Sequence, residues 1–128
     1  RVSGPDETAV RALPGALEQI LDNLLSNALS AAPPGSTVAV TWRPGASEGV
    51  ELHVVDAGPG LTERQRSDAL EPFWRAPGAT KGGTGLGLAL VRKLAEASGG
   101  QARLVAAQSG GVDAFVVLPV ADSRAITG

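Results

Sequence analysis

The chain has 128 residues, 43% of them hydrophobic and 19% charged, which suffices for one packed core and falls short of two ordinary domains. A net charge of −2 and an aromatic content of 3% offer neither a basic footprint nor stacking platforms, so nucleic acid is not an expected partner. Without cysteine there are no disulfides or thiolate metal sites, and no apolar run reaches the length of a membrane span, so no membrane contact by this domain is expected.

Methionine is also absent, and a chain opening on Arg1 is expected to be a piece of a longer protein. At the start, Ser3 to Glu7 reads as a turn and Thr8 to Ala12 as a short strand. In LPGALEQILDNLLSNALSAAPPG, the residues Leu17, Ile20, Leu21, Leu24, Leu25, Ala28 and Leu29 recur at helical spacing until Pro33 and Pro34, which predicts a long helix. Asn23 and Asn27 lie one turn apart on a common face of it. Burying an unpaired amide costs about 1–3 kcal/mol, so both should be hydrogen-bonded or face a cavity. Backbone and water could satisfy the pair. Alternatively, Asn27 offers its carbonyl oxygen to a hard cation such as Mg²⁺, which keeps waters and substrate phosphates beside a single protein ligand.

STVAVTWR and VELHVVD predict an antiparallel hairpin over 36–43 and 50–56, with His53 as an ordinary exposed strand residue beside Glu51. The second strand ends in Asp56 and turns at once through Gly58 and Gly60. Turn chemistry alone accounts for such a segment. The functional alternative is a carboxylate that accepts a hydrogen bond from an exocyclic amine while the glycines let backbone approach a ring. Adenine presents an amino donor where guanine presents an oxygen, so Asp56 would select ATP over GTP.

Thr62 caps a short helix from Glu63 to Leu70, and a loop rich in proline and glycine follows to Gly83. A second long helix runs from about Gly85 to Ser98 and stops at Gly99 and Gly100. QARLVAAQ and VDAFVVLP, separated by Ser109 to Gly111, predict a closing hairpin; residues 1–119 would form the domain and 120–128 a tail. The architecture implied is a two-layer α/β sandwich, its mixed, mostly antiparallel sheet covered on one face by about three helices.

The crowded glycines of TKGGTGLGLALV fit either a connector or a phosphate cradle at a helix start. They match neither the Gly-X-X-X-X-Gly-Lys phosphate loop nor the dinucleotide fingerprint.

LDNLLSNAL, VVDAGPGL followed by EPFWRA, and GGTGLGLALV occur in this order, and the set resembles the ATP-binding catalytic domain of bacterial sensor histidine kinases. That domain lies within the Bergerat-fold ATPases, which include DNA gyrase, the Hsp90 chaperones and MutL. The segments look like the N, G1, F and G2 boxes. The resemblance implies a Bergerat fold and ATP with Mg²⁺ as ligands. Asn27 would hold the metal, Asn23 would line the same pocket, and both are the candidate catalytic residues. Asp56 would read the adenine amine, with Gly58 and Gly60 shaping the wall. Phe73 and Trp74 would anchor a lid hinged at Gly82 and Gly83; Gly83, Thr84, Gly85, Leu86 and Gly87 would form its end and the phosphate-facing helix start.

Where the family usually carries a basic residue after the Asn-Ala pair, this chain has Ser30, and Arg75 or Lys81 would have to supply the charge. Hydrolysing relatives place a glutamate one turn before the metal-binding asparagine, whereas here Asn23 cannot act as a base. The resemblance therefore implies transfer of the γ-phosphoryl group to a histidine on a phosphoacceptor and dimerisation domain of the same parent, upstream of Arg1. A response regulator would act downstream. The domain would be cytoplasmic, whether or not the parent is membrane-anchored. The alternatives are a serine kinase of the anti-sigma type and a degenerate nucleotide-binding sensor or scaffold.

Overall fold

The computed structural model describes residues 2–4, 10, 12–45, 49–75 and 86–120. Their elements are β1 (Val2–Ser3), α1 (Ala16–Ala31), β2 (Ala39–Pro44), β3 (Gly49–Val55), α2 (Glu63–Asp68), α3 (Gly87–Ala97), β4 (Gln101–Ala106) and β5 (Val112–Pro119). The strands form one sheet in the order β1-β2-β3-β5-β4, in which β1 runs parallel to β2 and the other pairs are antiparallel.

Strand alternation sorts the residues onto two faces. Val40 pairs with Val54, Val54 with Ala114, Leu52 with Val116 and Val50 with Leu118, so these side chains share one face. Against it pack Ile20, Leu24 and Ala28 of α1 and Val91 and Ala95 of α3, each buried. The fourfold spacing in both helices is what places these residues in a stripe. The result is the expected two-layer sandwich.

Local signals end the elements. Ala32 precedes Pro33 and is extended, which stops α1. Thr62 and Gln65 form a complete capping box at α2. At the end of α3 the Gly99 amide donates to the Glu96 carbonyl and the Gly100 amide to the Ala95 carbonyl, the Schellman pattern, with Gly99 at φ 89°.

At the edges one reading from sequence changes and two fall partly outside the described residues. Ser3 belongs to β1 rather than to a turn, because the parallel pairing with Thr41 overrides its turn preference. Of the proposed strand over 8–12, Val10 makes a single bridge to Val120, and residues 8, 9 and 11 lie outside the described set. The described part of α3 begins at Gly87, and Gly85 falls outside it.

Candidate functional site

Asn23 and Asn27 project from α1 toward the start of α3. Asn23 is half-buried and Asn27 exposed, and among the described residues neither amide is engaged in a hydrogen bond or sealed from solvent. A Cβ on Gly87 would come to 3.6 Å from Asn23 Oδ1 and 3.8 Å from Asn27 Nδ2. The first turn of α3 carries no side-chain cap and no acidic residue. The positive dipole end of α3 therefore lies beside the two amides, an arrangement suited to an anion.

The second wall is the segment after β3. Asp56 is buried at 7% exposure, and its carboxylate is held by one oxygen. Oδ1 accepts from the Gly58 amide at 2.8 Å and from the Val112 amide at 3.3 Å. Backbone pairing fixes the residue further: the Asp56 amide donates to the Val112 carbonyl at 3.0 Å, and Ser109 Oγ donates to the Asp56 carbonyl at 3.3 Å. Oδ2 has no hydrogen bond among the described residues, and no buried side-chain polar atom is left unpaired there, so this oxygen reaches the surface as a free acceptor.

Close approach of backbone positions these walls. A Cβ on Gly58 would sit 2.7 Å from the carbonyl oxygen of Ala31, one turn beyond Asn27 on α1. One on Gly60, whose φ is 78°, would strike the Gly110 carbonyl. Gly111 lies so near Asp56 that a Cβ would fall on its carbonyl oxygen. The hairpin of β4 and β5 thus closes over the aspartate. Ser109 and Gly111 were read from sequence only as a turn and Val112 only as a strand start; nothing local in them indicates that their partner lies half a chain away.

Phe73 is 73% exposed and left-handed at φ 67°, an unusual backbone for an aromatic residue, while the neighbouring Trp74 is half-buried. Glu71, two residues earlier, is tied to α3 by Arg92 at 3.2 Å. Arg75 and Leu86 are exposed. Lys81, Gly83, Thr84 and Gly85, together with most of the segment read as a lid, lie outside the described residues.

His53 is a correction. It is 5% exposed rather than an open strand residue, because Glu51, Asp113 and Phe115 enclose it on the helix-free face of the sheet. Both ring nitrogens are bonded, so it is not a free nucleophile.

Comparison with known proteins identifies a family and a fold. The family profile described as histidine kinase-, DNA gyrase B- and HSP90-like ATPase matches residues 12–122. The swarming motility regulation sensor protein RssA of Serratia marcescens is 42% identical over 103 residues, covering 80% of this chain and 22% of the relative. The histidine-protein kinase/phosphatase MprB of Mycolicibacterium paratuberculosis is 39% identical over 108 residues, 80% of this chain and 21% of that protein. The chain thus spans about a fifth of the length of these curated relatives. The solved mycobacterial sensor histidine kinase MprB superposes with a TM-score of 0.82 at 32% identity, covering 94% of this chain and 82% of that one. The ATP-binding domain of PrrB from Mycobacterium tuberculosis gives 0.70 at 31% identity, covering 94% and 80%. The amides of α1, the glycine start of α3 and the aspartate closing β3 thus stand on a fold shared with histidine kinase ATP-binding domains, and this chain belongs to the histidine kinase-, DNA gyrase B- and HSP90-like ATPase family.

Proposed function

We propose that this domain binds Mg·ATP and delivers its γ-phosphoryl group to a histidine on another domain of the same parent protein. The observation that carries the reading is Asp56: one oxygen locked on two amides, the other free at the mouth of the glycine-walled segment. A fixed carboxylate of this kind accepts from the amino group of adenine and would face the oxygen of guanine unfavourably, which supports ATP as the nucleotide.

The phosphate end is supported by the uncapped start of α3, set within van der Waals range of Asn23 and Asn27 once a side chain is imagined at Gly87. Among the described residues no group of three His, Cys, Asp or Glu side chains forms a cation cage. Asn27 would therefore be a lone protein ligand, which suits Mg²⁺ carried mainly by phosphate oxygens and water. When bound, the ion would neutralise charge developing on the transferring group. In the transfer the bond from the γ-phosphorus to its bridging oxygen breaks, a nitrogen–phosphorus bond forms at the imidazole, and ADP leaves. Asn23 lacks the basicity to activate water, which supports an imidazole acceptor over hydrolysis. A response regulator would then receive the phosphoryl group.

Titration with Mg·ATP and Mg·GTP tests the assignment. Wild type should prefer ATP, Asp56→Asn should lose about 1–3 kcal/mol of that preference, and Asn27→Ala should remove the Mg²⁺-dependent part of the affinity. Unchanged binding by both folded variants would refute the site.

A further inference from the structure

Two titratable side chains are buried among the described residues, Asp56 and His53, and the nucleotide site uses only the first. His53 Nδ1 lies 2.7 and 3.0 Å from the two oxygens of Asp113, and Nε2 lies 2.8 Å from Glu51 Oε1. The ring stacks on Phe115 with centroids 4.5 Å apart and planes at 18°. A neutral imidazole has one N–H and one lone pair, so with both carboxylates ionised it can satisfy one and must aim its lone pair at the other. The doubly protonated ring donates to both.

The surrounding charges fit that form. On its own strand His53 meets Glu51; Thr41 faces it from β2, with Arg43 beside, and Phe115 and Asp113 face it from β5. Arg103 of β4 stands opposite Phe115, one strand further away. Arg43 Nε reaches Glu51 Oε1 at 3.3 Å. The hydrogen bond from His53 holds the Glu51 carboxyl below the usual glutamate range, against desolvation and with help from Arg43.

The cluster joins the two strands that hold Asp56. Asp113 pairs with Val55, the residue before Asp56, and follows Val112, whose amide and carbonyl grip the aspartate. We propose that His53, as the imidazolium, is a positioning residue for the nucleotide site, bracing β3 against β5 beside Asp56 so that nucleotide affinity falls when the ring loses its proton. This rests on reading Asp56 as the adenine contact.

The test is Mg·ATP affinity of the 128-residue chain from about pH 5.5 to about pH 9, with ¹⁵N spectra of the His53 ring recorded in parallel. On the acid side both nitrogens should be protonated. As the proton leaves, wild-type affinity should fall roughly three- to tenfold, the scale of one charge-assisted hydrogen bond partly transmitted to the site. His53→Gln and Asp113→Asn should lack this component while the dependence due to the nucleotide's own phosphates remains. If His53→Gln does not fold, Asp113→Asn alone carries the comparison. No binding at any pH would overturn the Asp56 reading and the inference with it. Binding with the same pH profile in wild type and folded variants, or a neutral ring throughout, would overturn the inference alone.

Discussion

Asp56 is held by four hydrogen bonds, one each with Gly58 and Ser109 and two with Val112, which fixes where its free oxygen points. Rigid placement is what lets a single acceptor discriminate between bases, because a mobile carboxylate would adjust to either. The tolerance for error is smallest at Gly111, where a methyl group would meet the Asp56 backbone itself. Gly111→Ala should cost about 1–3 kcal/mol of stability through overpacking, and its residual folded population should bind ATP more weakly than wild type. Urea unfolding combined with calorimetric titration would check both parts; full stability and affinity would show that the clamp is not needed. Much of this was legible in the sequence, since an aspartate ending an apolar strand before two glycines demands a donor. The identity of the distal donors was not, because Val112 is 56 residues away and its role is visible only in the register of β3 with β5.

Among the elements, α1 and α3 would form the proposed phosphate end, and they meet there at a residue the fold itself does not require. Gly87 is helical, and a Cβ there would meet its neighbours at 3.6 to 3.8 Å, ordinary contact distances. Alanine would favour the helix by up to about 1 kcal/mol. Gly87→Ala should therefore leave the melting temperature equal or higher while weakening Mg·ATP binding, because the methyl group occupies the space between α3 and the two asparagines. Thermal unfolding without ligand, set beside the dissociation constant, separates the effects; a loss of stability with normal affinity would reverse the interpretation. The helical period and the capping residues made α1, α2 and α3 readable in advance. His53 was misjudged because alternation told only that it faces away from the helices, and that face of a two-layer sheet is usually wet. Three long side chains from the same and neighbouring strands bury it instead.

For the whole molecule, the chain corresponds to about a fifth of the relatives it matches. Its one histidine, His53, has both nitrogens bonded and is enclosed by the sheet. Incubated with γ-labelled ATP, the chain should bind nucleotide without labelling itself, and incorporation of acid-labile label at His53 would contradict this. The layer architecture was readable from the alternation of helical and strand periods, and the order of the four boxes pointed to the family. The parallel pairing of β1 with β2 was not readable, since Val2 and Ser3 are too short a run to declare a strand. The grip of Val112 on Asp56 has one further consequence, in time rather than space. A chain emerging from its N-terminus has made both asparagines and Asp56 long before Val112 exists. Contacts of such sequence separation are entropically costly and form late. The proposed nucleotide site would thus be completed only when the C-terminal hairpin docks, so competence to bind ATP would report that the domain has finished folding.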